Sequence, residues 1–224
     1  MISVIIPTLN EEKTLGRCIA SLREEGSAYE IIVADGGSRD RTREVAERYP
    51  GVRFVQTEEG RGNQMNIGAS HARGEVLIFL HADTILERGW DREITVALRD
   101  DDATGGAFTF AIDNPLRKYR IVEAWVSMRC RAFRLPYGDQ AIFVRRSVFE
   151  KLAGYNNMPL MEDVDLVTRM KKLGRFSILE KRAVTSGRRW VSKGLIKTAA
   201  INQLTMLLYR LGVNPERLAR FYYR

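Results

Sequence analysis

The chain has 224 residues, 45% of them apolar, with 36 Lys and Arg against 28 Asp and Glu for a formal charge of +8. That length buries one substantial core, or a core with a helical appendage, and excludes two large independent domains; the positive balance suits an anionic partner such as a diphosphate, nucleic acid or an acidic membrane surface without choosing among them. No run reaches the roughly 18 apolar residues of a spanning helix, no charged leader precedes the strand-like run Ile2 to Ile6, and Cys18 and Cys130 lack metal-type spacing, so a cytoplasmic protein with free thiols is expected.

Along the first half, Val- and Ile-rich runs at Ser3 to Pro7, Glu30 to Ala34, Val52 to Gln56 and Glu75 to Leu80 alternate with helical patterns. Those patterns cover about Thr14 to Glu25, Arg41 to Tyr49 and Gly62 to Ala72. The alternation predicts βαβ units and an α/β fold with a largely parallel sheet. Such sheets bind ligands beyond the carboxyl ends of their strands, which directs attention to Thr8 to Glu11, Asp35 to Asp40, Glu58 to Gly62 and His81 to Thr84. In the second half, strands are predicted at Gly105 to Ile112, Ala141 to Arg145 and Ser177 to Glu180, with helices from Leu116 to Arg131 and Asp163 to Leu173. Val191 to Leu211 reads as one basic amphipathic helix, and Asn214-Pro215-Glu216 as the N-cap and first turn of another. A boundary near residue 190 separates a core, 1–190, from a C-terminal helical extension, 191–224, packed on it.

Polar residues gather at these strand ends. The first strand closes in Pro7-Thr8-Leu9-Asn10-Glu11-Glu12, which reads either as helix capping or as a ligand-facing mouth. The second closes in Asp35-Gly36-Gly37-Ser38-Arg39-Asp40, a tight turn with a carboxylate at its edge. The dinucleotide pattern G-x-G-x-x-G is absent, which weakens a nicotinamide or flavin reading. In His81-Ala82-Asp83 the alternate side chains of an extended segment point the same way. An imidazole and a carboxylate at that spacing can hold a divalent ion that neutralises a diphosphate, or be a structural His beside a capping Asp. Further on, Gly138-Asp139-Gln140 is followed by Glu162-Asp163 at a helix start, where the macrodipole favours carboxylates with or without another duty. Ser186-Gly187-Arg188-Arg189-Trp190 sets two guanidinium forks beside an indole, a pairing suited to phosphate oxygens.

In order along the chain, these strings resemble the inverting family-2 glycosyltransferases of GT-A fold. Val4 to Glu11 resembles the opening strand and nucleotide turn, and Asp35 with Gly37-Ser38 and Asp40-Arg41-Thr42 the base-binding turn. Gly62 through Asn66 to Gly68 is similar to the helix before the metal strand, His81-Ala82-Asp83 stands where the family has D-x-D, and Glu162-Asp163 where it has the catalytic acids. Leu135 to Gln140, Met161 to Asp163 and Ser186 to Trp190 further resemble a small bacterial subgroup associated with arsenosugar biosynthesis. Two positions depart from the family: Gly36 replaces the second Asp of the base turn, and His81 the first Asp of D-x-D.

The resemblance implies a GT-A fold: a central, mostly parallel mixed sheet flanked by helices, with C-terminal helices added. It implies transfer of a sugar from a nucleoside-diphosphate sugar, a UDP-sugar in the first instance, to a hydroxyl on a small or lipid-linked acceptor, with inversion. Donor contacts would come from Pro7, Thr8, Asn10, Glu11, Asp35, Gly37, Asn66, His81, Asp83, Arg188, Arg189 and Trp190; Asp83 would hold Mg2+ or Mn2+ on the diphosphate. Asp163 would be the base with Glu162 as the alternative, and Gly138, Asp139 and Gln140 would meet sugar or acceptor. The rivals are a nucleotidyltransferase, disfavoured by the separate acid pair, and a non-catalytic nucleotide-sugar or anionic-surface binding protein; no nucleic-acid motif is present. The apolar face of Val191 to Leu211 is expected on its own domain or a second subunit, as in a homodimer, with peripheral contact to the inner membrane face as the alternative.

Overall fold

The computed structural model describes residues 1–23 and 29–222. Its first half builds four parallel strands, β1 (Ile2–Thr8), β2 (Tyr29–Asp35), β3 (Val52–Gln56) and β4 (Val76–Phe79), in the order β3-β2-β1-β4. Helices α1 (Leu15–Leu22), α2 (Thr42–Glu47) and α3 (Arg61–Ser70) make the crossovers. α1 buries Leu15, Cys18, Ile19 and Leu22, the i, i+3, i+4, i+7 stripe of a helix lying on a sheet. The expected continuation of this helix to Glu25 ends outside the described residues.

β1 is buried on both faces. Val4 and Ile6 enter an apolar layer with Leu15, Ile19, Trp90 and Phe143. Ile5, pointing the other way, joins Ile32, Phe79, Tyr155 and Leu166.

The second half extends the same sheet through β5 (Thr84–Leu86), β6 (Ala103–Asp113), β7 (Ile142–Arg145) and β8 (Arg175–Ser186), giving the full order β3-β2-β1-β4-β7-β6-β8-β5. Among the described residues four of the seven strand pairings are parallel and three antiparallel, which makes the mixed sheet expected of a GT-A fold. Helices α4 (Trp90–Ala97), α5 (Arg117–Phe133), α6 (Arg146–Lys151) and α7 (Glu162–Met170) flank it.

Three expectations change. Strand β8 runs well beyond Ser177 to Glu180: after a bulge at the polar stretch around Glu180-Lys181 its pairing with β6 resumes at Arg182, and β5 pairs its other edge at Ala183 to Thr185. β5, α4 and α6 were not expected; all are short, and β5 has only three residues. The single helix Val191 to Leu211 is two, α8 (Arg188–Lys193) and α9 (Leu195–Arg210), because Gly194 between them has φ 82° and breaks the hydrogen-bond ladder.

The last helix, α10 (Pro215–Tyr222), is capped as expected, with Asn214 Oδ1 accepting from the Glu216 amide at 2.7 Å. Met206 and Leu218 carry the C-terminal helices onto Leu160, Met161 and Val164. Among the described residues no helix is long and apolar enough to cross a membrane.

Candidate active site

The parallel register brings the ends of β1 and β2 level, with Thr8 opposite Asp35. Asp35 is buried, and its carboxylate accepts from Thr8 Oγ1 at 2.8 Å, the Gly37 amide at 3.0 Å, and the Ser38 amide and hydroxyl at 2.8 and 2.6 Å. Asn10, with φ 57°, donates its amide to Ser38 Oγ and accepts from the Arg39 amide through Oδ1. Gln64 spans the two strand ends from below, donating Nε2 to the carbonyls of Thr8 and Ala34. Asn66 clamps Tyr155 through both its backbone groups, at 2.8 and 2.9 Å. Asn10, Asp35, Gly37 and Asn66 thus lace the scaffold together, and none of them lines the large cavity above the strand ends.

That cavity has a volume of about 870 Å³, within the range of small-molecule sites. Pro7 and Thr8 line it from β1, Glu11 from the turn that follows, and His81 and Asp83 from the segment after β4. Gly138 and Asp139 come from a 3-10 turn, Glu162 and Asp163 from the start of α7, and Arg188, Arg189 and Trp190 from α8. His81 and Asp83, expected at the metal, and Glu162 and Asp163, the expected acid pair, therefore face one space. Six acids, Glu11, Glu59, Asp83, Asp139, Glu162 and Asp163, line it against three arginines, Arg61, Arg188 and Arg189.

Local backbone aims these groups. The Ser186 amide donates to the Asp83 carbonyl at 3.0 Å, so the end of β8 is fastened beside the β4 mouth. From there Arg188 reaches Glu11 at 2.5 and 3.0 Å and Asp83 Oδ2 at 3.2 Å. Met161, immediately before α7, has a left-handed backbone with φ 69°, uncommon for a side-chain-bearing residue and the kind of strain that collects at functional sites. The turn it makes delivers Glu162 and Asp163 into the cavity. Asp163 is held through both oxygens, accepting from the Gly138 amide at 2.5 Å and the Val164 amide at 2.7 Å. Gly138 sits so close that a Cβ on it would lie 3.0 Å from His81 Nε2 and 3.2 Å from Asp163 Oδ2.

Burial and charge set the protonation of the lining. Burial, reinforced by Arg61 and Arg188, pulls His81 down to about 3, leaving a neutral imidazole. Asp83 is raised by burial and by Glu11, against the pull of Arg188. Burial and then Asp163 raise Glu162, which keeps an ion pair to Arg61 at 3.3 Å. Asp139 is pushed up to about 7, by burial first and by the carboxylates of Asp163 and Asp83, with Arg129 opposing.

Gln140 departs from its expected sugar contact. It is buried behind the cavity wall, donating Nε2 to the Phe108 carbonyl at 2.9 Å and accepting from Cys130 Sγ and the Tyr137 amide. The turn sends residue 139 inward and residue 140 back into the fold. Conversely, Arg61, Tyr137, Asn202 and Tyr222 line the cavity without having been singled out. Arg61 left a sequence signal: a cation in the first turn of a helix opposes the macrodipole and calls for a partner, here Glu162. Asn202 and Tyr222 left none, since only the folding-back of α9 and α10 brings them to the site.

The chain is similar to the Probable glycosyltransferase YdaM of Bacillus subtilis (strain 168), 27% identical over 197 residues, 77% of this chain and 47% of that one. It is also similar to a PGL/p-HBAD biosynthesis glycosyltransferase of Mycobacterium tuberculosis, 30% identical over 164 residues, 70% of this chain and 63% of that one. The chain thus spans less than two thirds of the length of these curated relatives. In structure it resembles the mannosyltransferase PcManGT from Pyrobaculum calidifontis in complex with GDP-Man and Mn2+, with a TM-score of 0.68 at 20% identity over 92% of this chain and 61% of that one. It also resembles S. aureus TarS 1–349 in complex with UDP-GlcNAc, with a TM-score of 0.66 at 18% identity over 82% of this chain and 58% of that one. Likeness at that level shows the shared GT-A fold. The sequence profile of Glycosyl transferase family 2 matches residues 3–152, more than half of the chain, and the chain belongs to that family.

Proposed function

We propose that the protein transfers a sugar from a nucleoside-diphosphate sugar to a hydroxyl acceptor in a single inverting displacement assisted by a divalent cation. The observation that carries this reading is the convergence of Asp83, Arg188 and the Glu162-Asp163 pair on one cavity of about 870 Å³. Donor chemistry is supported by the relatives: PcManGT is described with GDP-Man and Mn2+, and TarS with UDP-GlcNAc. A UDP-sugar is the donor we favour, with the base at the mouth of β1.

A divalent ion fits the residues present. Six acids against three arginines make the lining repel a diphosphate unless a further cation accompanies it. Among the described residues no group of three or more His, Cys, Asp or Glu side chains is placed to hold a metal on its own. Mg2+ and Mn2+ sites of one or two carboxylates completed by substrate phosphates need no such group. Asp83 would hold the ion, with the neutral His81 as a second donor, and the ion would neutralise charge on the departing diphosphate.

The chain's own residues do the rest. Asp163, with both oxygens oriented by backbone amides, takes the acceptor hydroxyl proton as that oxygen attacks the anomeric carbon. The bond from the anomeric carbon to the nucleoside diphosphate breaks on the opposite side, where Arg188 and Arg189 receive the charge. Glu162, tied to Arg61, stands behind Asp163 as the alternative base. We assign Asp139 to the sugar hydroxyls.

Product analysis tests the reading. Incubation with Mn2+, UDP-glucose or GDP-mannose, and glycerol or sugar alcohols as acceptors should release nucleoside diphosphate. Release of sugar 1-phosphate instead, with the nucleotidyl group carried to the acceptor, would mark a nucleotidyltransferase, and donor binding without any turnover a binding protein.

A further inference from the structure

α5 and α9 present exposed apolar ridges to solvent. Ile121 is 72% exposed, Met128 63%, and Trp125 and Phe133 are exposed beside them on α5. On α9 and just after it, Leu204, Leu207 and Leu211 are exposed at helical spacing. The two helices are neighbours: Val122, Val126 and Cys130 share an apolar cluster with Trp190, Leu195 and Ala199, and the Arg210 guanidinium lies 5.7 Å from the Phe133 ring. Apolar side chains of this size are ordinarily exposed singly, so a ridge of them on adjacent helices marks a contact surface.

The charge around the ridges selects the occupant. Arg117, Lys118 and Arg131 lie on α5 with Arg134 at its C-cap, and Lys197 and Arg210 lie on α9. α5 holds one acid, Glu123, which is turned to the Ile112 amide, and α9 holds none. Among the described residues Arg117, Arg131, Arg134 and Lys197 make no ion pair within 4.0 Å. A symmetric contact with a second copy would set these like-charged fringes against each other. An anionic bilayer matches both features, taking the apolar side chains below its headgroups and the cations at its phosphates.

We propose that the α5–α9 face docks the protein peripherally on anionic membranes. The opposite face of α9 contributes Thr198 and Asn202 to the cavity, so docking would hold the site about one helix diameter, roughly 10 Å, from the headgroups. Docking itself is independent of sugar transfer.

Vesicle binding by the whole protein tests this without any turnover. Sedimentation with phosphatidylcholine vesicles containing phosphatidylglycerol should show binding at least about tenfold tighter than with phosphatidylcholine alone, weakened by added salt. Trp90 and Trp190 are buried and Trp125 is the exposed indole, so its emission should shift to the blue on binding. The pairs Trp125→Gln/Leu207→Gln and Arg117→Gln/Arg131→Gln alter exposed side chains only. Each should keep the native melting temperature and lose about tenfold in vesicle affinity. Absence of binding to the anionic vesicles, or equal binding by both variant pairs, would overturn the proposal. So would a concentration-dependent dimer in vesicle-free buffer that the same variants abolish.

Discussion

Arg188 lies 3.2 Å from Asp83 Oδ2, joining the first turn of α8 to the mouth of β4. The same guanidinium forks onto Glu11, so a single cation offsets two carboxylates at the place proposed for diphosphate and metal. Arg188→Ala should lower transfer about 100-fold by removing a donor to the leaving diphosphate. It should also tighten binding of Mn2+ alone, because Asp83 and Glu11 lose their internal counter-ion. Calorimetric titration with Mn2+ and with UDP separates these effects; unchanged UDP affinity would remove Arg188 from the diphosphate.

Asp163 and Glu162 are adjacent in sequence and differ in tethering. Asp163→Asn should retain nucleotide binding and lose about 100-fold or more in transfer, the scale of a general base. Glu162→Gln, which weakens the pairing with Arg61, should cost less. A larger loss in the Glu162 variant would exchange the two roles.

Asp139 offers a test through stability. An ordinary aspartate titrates near 3.8, and burial beside Asp163 and Asp83 pushes this one up to about 7. At pH below the ordinary value both folded and unfolded chains hold the proton. As pH rises toward 7 the unfolded chain releases it first, so stability falls, by at most on the order of 4 kcal/mol once both forms are ionised. Asp139→Asn should therefore melt several degrees above the native protein at pH 8 and level with it near pH 4. Equal melting temperatures at both pH values would show that the carboxyl is not held in this way.

Gly138 has no left-handed backbone, so the space around it decides what it tolerates. A methyl there presses on His81 and Asp163. Gly138→Ala should destabilise by about 1–3 kcal/mol, as small overpacking does, and reduce transfer about tenfold by displacing Asp163. Native activity and melting temperature would mean that the wall gives way freely.

The sheet was legible because Val4, Ile5, Ile6, Ile31, Ile32 and Val33 form short β-branched runs between helical patterns, as strands buried on both faces do. Of the candidate site, the sequence pointed to Thr8, Glu11, His81, Asp83, Glu162 and Asp163, which line one cavity from strand ends and a helix start. The site was not legible where tertiary contacts decide. Asp35 spends its side chain on neighbouring amides and hydroxyls and Asn66 on the backbone of Tyr155, and Gln140 points away from Asp139. Tyr222 reaches the cavity from the last helix and bonds Arg189 there, a contact between residues 33 positions apart that no local pattern announces. Gly194 was visible as a residue, but its power to split the C-terminal helix depended on a left-handed turn that the amphipathic pattern concealed.

The most direct test of the central claim is donor affinity, measured by calorimetry with and without Mn2+ in the native protein and in Asp83→Ala. UDP-sugar or GDP-sugar binding should be strengthened at least about tenfold by Mn2+ in the native protein, with the enhancement lost in the variant. Equal affinity with and without the ion in the native protein, or an enhancement that survives in Asp83→Ala, would contradict the claim.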